Sequence, residues 1–208
     1  YMDRYEVTND EMVRVMQWAY DNGRVSTTIQ NLQGDQQELL DLDDPESAMA
    51  WAQRAFEIGP ERYWPNMAML LVSQRQGDEE AGLRYAEKVL ELGYQSSKAL
   101  RVLRDRALGQ DEPDAARAVY AETTPELFQS PPRTNEVNFF KAIDLAYVLR
   151  EMGDEEAAGI LLEGASEFVM GQTRSGPSGV YFSDIEVLAM QGEVETALET
   201  LEQAVESD

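Results

Sequence analysis

The segment Gln76–Gly93, QGDEEAGLRYAEKVLELG, contains a pattern that recurs twice further along the chain. The later copies are MGDEEAAGILLEGASEFV at residues 152–169 and QGEVETALETLEQAVES at residues 191–207. Each copy begins with a glycine followed by an acidic residue, and then places small or apolar residues three and four positions apart. This spacing gives a helix one buried stripe, so each copy is predicted to form one amphipathic helix. The acidic residue fits the first turn, where the helix dipole favours negative charge.

The small residues of these helices follow a period that extends over most of the chain. They recur at intervals of 34, 34, 42 and 39 residues, beginning at Ala48 and continuing at Gly82, Ala116, Ala158 and Ala197. The two longer intervals require insertions. The segments 128–135 and 171–179 are rich in Pro, Gly and Ser, which is typical of surface loops, and they are predicted to hold those insertions.

A helix–turn–helix pattern with a 34-residue period resembles the tetratricopeptide repeat. The resemblance covers roughly residues 29–208 and depends on the period and the small-residue ladder. It also depends on a glycine at the turn between the two helices of a unit, at Gly77, Gly153 and Gly192, and on Pro60 at the end of the first unit. The first and third units depart from it, because Asp43 and Asp111 occupy the turn position.

The resemblance implies an all-α fold, a right-handed α-α superhelix (solenoid) of about five helix pairs. An N-terminal helix or cap is expected within residues 1–28. The five units are expected at about residues 29–60, 61–94, 95–127, 136–171 and 178–208. One helix pair cannot bury its apolar stripe alone, so neighbouring pairs must stack to form a continuous core.

The chain is strongly acidic, with 40 acidic residues against 17 basic ones and a net charge of −23. Contacts with phosphate need Lys or Arg, so we expect this segment to bind neither nucleic acid nor an anionic membrane. No apolar run approaches the roughly 20 residues needed to cross a bilayer. Such a composition suits a saline habitat or an ordinary acidic domain. We expect a piece of a larger bacterial protein, with cytoplasm and periplasm both open.

The sequence offers little for catalysis, because it contains no cysteine and no histidine. Cysteine nucleophiles, disulfides and histidine-dependent acid–base or metal chemistry are therefore excluded. The acidic segment 41–46, DLDDPE, lacks the spacing and the glycine of a calcium-binding loop. The segment 171–179 lacks the Lys-Ser/Thr ending of a phosphate-binding loop. We therefore expect no enzyme, no catalytic residues, no metal and no cofactor.

In tetratricopeptide arrays the first helices line a concave groove that receives a peptide or a partner helix. The resemblance therefore implies a non-catalytic scaffold or adaptor domain that binds a peptide or a partner protein. The alternative is a regulatory domain that senses a ligand or peptide. Carried over by register, the groove candidates are Trp64, Met67, Leu71 and Arg75 in the second unit, Lys98 and Arg101 in the third, Phe140, Ile143, Tyr147 and Arg150 in the fourth, and Phe182 and Met190 in the fifth.

Aromatic and arginine residues are common interface anchors, which favours the groove interpretation. The competing interpretation is that some candidates form the core, and that the basic residues only pair with neighbouring acids. The Lys and Asn residues of the family's carboxylate clamp are not present in register, so a chaperone tail is not the expected partner. The last helix has a broad apolar arc that includes Leu198 and Leu201. We expect that arc to meet a downstream segment or a second copy in a homodimer.

Overall fold

The computed structural model describes residues 45–170, 172 and 182–206, and this part of the chain contains α-helices and no strand. The all-α prediction is therefore confirmed for it. The predicted N-terminal helix and the first helix of the first unit lie outside the described residues. The helices are α1 (Pro45–Ile58), α2 (Tyr63–Gln76), α3 (Glu79–Glu91), α4 (Ser97–Gly109), α5 (Pro113–Thr123), α6 (Phe139–Glu151), α7 (Glu155–Val169), α8 (Ser183–Met190) and α9 (Val194–Glu206), with a 3₁₀ helix at Pro125–Phe128.

Consecutive helices pack as the predicted pairs, namely α2 with α3, α4 with α5, α6 with α7, and α8 with α9. The chain divides into two compact units, one ending at Leu92 and the other beginning at Gly93. In the first unit, α1 also packs against α2. In the second unit, α4 contacts α6 and α6 contacts α8, so the first helices of three successive pairs are neighbours. The right-handed superhelix stays a prediction.

The turns inside the four described pairs have one conformation. Their central residues, Gly77, Asp111, Gly153 and Gly192, all have positive φ, between 60° and 86°. In each turn the amide of the next residue donates to the carbonyl five positions earlier, at 2.8–2.9 Å. This is the hydrogen bond of a Schellman helix end. Aspartate is one of the few residues besides glycine that adopts this left-handed conformation, which explains how Asp111 replaces glycine in the third repeat.

Two of the acidic residues after the turns cap the helices that follow them. The Asp78 carboxylate accepts a hydrogen bond from the Ala81 amide at 3.0 Å, and the Asp154 carboxylate accepts one from Ala157 at 3.2 Å. Each bond satisfies an amide that has no partner within the helix, which stabilises the helix start by roughly 1 kcal/mol. These carboxylates therefore have a structural role.

The small-residue ladder lies in the core. Its first position in each helix and the position four residues later are buried in α1, α3, α5 and α7, as Ala86, Ala116 and Ala158 show. Small side chains at these positions allow the two helices of a pair to approach closely. In α9 the ladder residue Ala197 is buried, but the next one, Leu201, is exposed.

Candidate functional site

In the first compact unit, which ends at Leu92, the structure separates the predicted groove residues into core and surface. Met67 is buried and belongs to the core, so its prediction as a groove residue is corrected: α2 turns that side chain into the helix packing. Trp64 and Leu71 are half-buried, and the Trp64 ring packs edge-on against Tyr63 with centroids 4.7 Å apart. Arg75 is exposed.

In the second compact unit, which begins at Gly93, the predicted groove residues again divide into core and surface. Ile143 is buried and is likewise corrected to a core residue, because α6 is packed by α4, α5, α7 and α8. Lys98, Tyr147 and Phe182 are exposed. The remaining predicted residues are half-buried, namely Arg101, Phe140, Arg150 and Met190.

Five of the predicted residues lie on one surface formed by α4, α6 and α8. We call it the α4–α6–α8 face, and its residues are Arg101, Arg104, Asp144, Tyr147, Arg150, Phe182, Glu186 and Met190. The Arg101 guanidinium connects the three helices, since its Nε donates to Asp144 Oδ1 at 2.7 Å and its Nη2 donates to Glu186 Oε2 at 3.2 Å. One side chain of the third repeat is thereby joined to the fourth and the fifth repeats.

A second arginine reaches the same carboxylate. Arg104 Nη1 donates to Asp144 Oδ1 at 2.9 Å, and its Nε donates to Asp105 at 2.7 Å. The Arg104 guanidinium also lies over the Tyr147 ring, 5.1 Å from the ring centroid. A cation held over an aromatic face is attracted by the ring quadrupole. Tyr147 is therefore oriented by its neighbour although it remains 40% exposed.

Arg150 forms another connection between α6 and α8. Its Nε donates to Glu155 at 2.9 Å, and its Nη1 donates to the carbonyl of Met190. Arg101 and Arg150 were predicted as partner-binding residues. In the structure both have ion-pair partners within the fold, which is the competing interpretation given above.

Asp144 is the electrostatic centre of this face, and only 1% of it is exposed. Burial raises the pKa of Asp144 to about 6, because the charged carboxylate is poorly solvated there. The two guanidiniums act in the opposite direction. The Asp144 Oδ2 atom accepts no hydrogen bond from the described part of the chain. The nearby Tyr120 hydroxyl is also buried without a partner there, and burial together with the Asp144 charge raises its pKa.

Sequence reasoning missed Arg104, Asp144 and Glu186. One signal was present, because Lys141 and Asp144 are charged residues inside the otherwise apolar run of α6, FFKAIDLAYVL. Charges in such a run need a partner when the helix is buried. Lys141 has one, since its Nζ donates to Gln95 Oε1 at 3.1 Å, and burial lowers its pKa.

Among the residues that the structure describes, no group of three or more acidic residues is placed to hold a metal ion. The same residues include no helix that is long and apolar enough to cross a membrane. What the α4–α6–α8 face does offer is two oriented guanidiniums, one of which lies over the exposed ring of Tyr147. Comparison of the chain with known protein families gives no match, and comparison with curated proteins gives none.

Proposed function

We propose that the second compact unit, from Gly93 onwards, is a non-catalytic interaction domain that binds a peptide or a partner protein on its α4–α6–α8 face. The observation that carries the proposal is the combination of a fixed frame and an exposed aromatic surface. Asp144 and Arg101 hold three successive first helices together, while Tyr147 and Phe182 remain 40% and 50% exposed. The repeated turn conformation supports the broader proposal of a tetratricopeptide-like scaffold or adaptor within a larger bacterial protein.

The frame favours binding because it is organised before a partner arrives. Ordering side chains on association typically costs about 0.5–1.5 kcal/mol for each flexible one. Arg104 already holds the ring of Tyr147, and Arg101 is held by two carboxylates. Tyrosine and arginine are also the residue types that most often dominate binding energy.

The ion pairs indicate which partner would fit. Glu186 is partly exposed, and exposed ion pairs contribute only about 0–1 kcal/mol. A carboxylate of a partner can therefore replace Glu186 on Arg101 at little cost, while the buried Asp144 pair is kept. The partner should combine an acidic residue with an apolar or aromatic anchor beside Tyr147 and Phe182.

The test selects peptides from a random library on the intact chain and measures their dissociation constants. Tyr147→Ala with Phe182→Ala should weaken the selected peptides at least tenfold at an unchanged melting temperature. Ile160→Ala is the matched control, because Ile160 is an exposed apolar residue of α7 and lies outside the face. Selected peptides that are insensitive to the double substitution would contradict the proposal.

The alternative function, sensing of a small ligand, is favoured by one observation. The Tyr120 hydroxyl and Asp144 Oδ2 are both buried without a hydrogen-bond partner in the described part of the chain. A small polar molecule that reached both atoms would stabilise the folded chain in proportion to its affinity. A thermal-shift screen of small polar compounds tests this, and Tyr120→Phe should abolish the shift of any true ligand. Shifts that survive Tyr120→Phe would place the ligand elsewhere.

A further inference from the structure

Helix α9 presents two parallel rows of side chains to solvent. The first row is apolar and consists of Val194 and Leu198, each 56% exposed, and Leu201, 39% exposed. The second row is acidic, exposed as well, and consists of Glu195, Glu199 and Glu202. Members of each row are four and three residues apart, so each row follows one side of the helix. We call these two rows the α9 surface.

Helix α7 of the preceding repeat has a leucine at the position that Leu201 occupies in α9. Leu162 lies nine residues after Gly153, and Leu201 lies nine residues after Gly192, so the two leucines are equivalent in the repeat. Leu162 is only 2% exposed, and the following helix, α8, packs against α7.

The positions equivalent to Val194 and Leu198 are Glu155 and Gly159, which stay exposed in α7, so the burial in the preceding repeat concerns the leucine. The apolar row of α9 itself has steps of four and three residues, which is the spacing of a helix–helix seam, and a helix is therefore the element that fits the α9 surface.

The acidic row determines the charge of that helix. Like charges four residues apart destabilise a helix by a few tenths of a kcal/mol. The last turn of α9 contains no basic residue, although the helix dipole favours positive charge there. Lysines or arginines supplied from outside would offset both unfavourable terms. A second copy of this chain would instead add another acidic row and another net charge of −23.

We propose that the α9 surface docks a basic amphipathic helix of another protein. That helix would carry apolar residues at positions i, i+4 and i+7, which meet Val194, Leu198 and Leu201. Lys or Arg residues along one flank would meet Glu195, Glu199 and Glu202. This surface shares no residue with the α4–α6–α8 face, so it is an interaction site beyond the proposed function.

The test uses three synthetic helical peptides and the intact chain at an ionic strength of about 0.15 M, where long-range attraction is screened. The first peptide has a leucine stripe and a lysine flank, the second replaces the leucines with serine, and the third replaces the lysines with glutamate. Fluorescence anisotropy should show that the first binds at least tenfold more tightly than either of the others. Equal binding of the serine peptide would overturn the proposal, because attraction would then come from net charge alone.

Substitutions in the chain locate the binding. Leu198→Ser with Leu201→Ser should weaken the first peptide at least tenfold, and these exposed positions allow the change without loss of the core. Replacing the three glutamates of the acidic row with glutamine should also weaken it and should reduce its dependence on salt.

Two controls separate this site from others. The matched pair Ile160→Ser with Glu163→Gln, on the exposed side of α7, should leave peptide affinity unchanged, as should Tyr147→Ala with Phe182→Ala. A loss of affinity in either control would overturn the assignment to α9. Sedimentation of the free chain should show a monomer, whereas a dimer dissolved by Leu198→Ser with Leu201→Ser would assign the surface to a second copy instead.

Discussion

Helices α2 and α6 both bury polar side chains, but they satisfy them in different ways. In α2, the amide nitrogen of Asn66 donates to the carbonyls of Pro60 and Arg62 at 2.7 and 2.6 Å, only six and four residues away. In α6, Asp144 accepts hydrogen bonds from Arg101 and Arg104, which are 43 and 40 residues away. The first arrangement closes a local turn. The second joins separate repeats, so its loss should affect the second unit as a whole.

The largest effect is expected from Asp144→Ala, which leaves two partly buried guanidiniums without their shared carboxylate. Breaking a buried ion pair by removing one partner typically costs about 3–5 kcal/mol. The comparison variant is Asn66→Ala, which removes two local hydrogen bonds worth about 0.5–1.5 kcal/mol each. The free energies of unfolding from denaturant titrations should therefore differ clearly between the two variants. Equal losses would remove the distinction between the two helices.

Acidification is expected to stabilise the second unit through the same residue. The pKa of Asp144 is raised to about 6 from its usual value of 3.8, so the folded state holds this proton more tightly than the unfolded state does. Between those values the contribution of Asp144 to stability must therefore rise as the pH falls. At 1.36 kcal/mol for each pKa unit, the gain reaches at most about 3 kcal/mol between pH 7 and pH 4.

The control for this prediction is Asp144→Asn, which keeps an oxygen acceptor for both guanidiniums and does not titrate. It should cost much less than Asp144→Ala at pH 7. The other acidic residues are common to both chains, so the difference between their two pH profiles reports Asp144 alone. A difference that is flat from pH 7 to pH 4 would show that the guanidiniums outweigh burial at this carboxylate.

The small-residue ladder should behave alike in the two units, which sharpens the contrast in their polar groups. Ala86 in α3 and Ala158 in α7 are both buried at the ladder positions. Valine at either site overfills the packed core, and we expect each substitution to cost about 1–3 kcal/mol. Ala118→Val, at an exposed position of α5, reports the intrinsic cost of a β-branched residue in a helix. Losses no larger than that of Ala118→Val would mean that the ladder is not close-packed.

The ladder and the turns could be predicted from the sequence because both are local. Helix ends depend on glycine conformation and on capping carboxylates within a few residues, and Gly77, Gly153 and Asp154 supply them. The pairing of Arg101 with Asp144 and Glu186 could not be predicted in the same way. Those partners are 43 and 85 residues apart from Arg101, and 40 acidic residues compete for 17 basic ones. Only the stacking of the first helices selects the partners.

The smallest effect is expected from Tyr120→Phe, and it tests the opposite case from Asn66. The Tyr120 hydroxyl is buried and has no hydrogen-bond partner in the described residues, whereas the Asn66 amide nitrogen has two. Leaving a polar group buried without a partner is unfavourable, so its removal is expected to be neutral or stabilising by up to about 1 kcal/mol. The ring remains, so packing in α5 is kept. Thermal unfolding of Tyr120→Phe beside Asn66→Ala measures the contrast, and a loss of stability above 1 kcal/mol in Tyr120→Phe would show that the hydroxyl has a bound partner in solution, such as a water shared with Asp144 Oδ2.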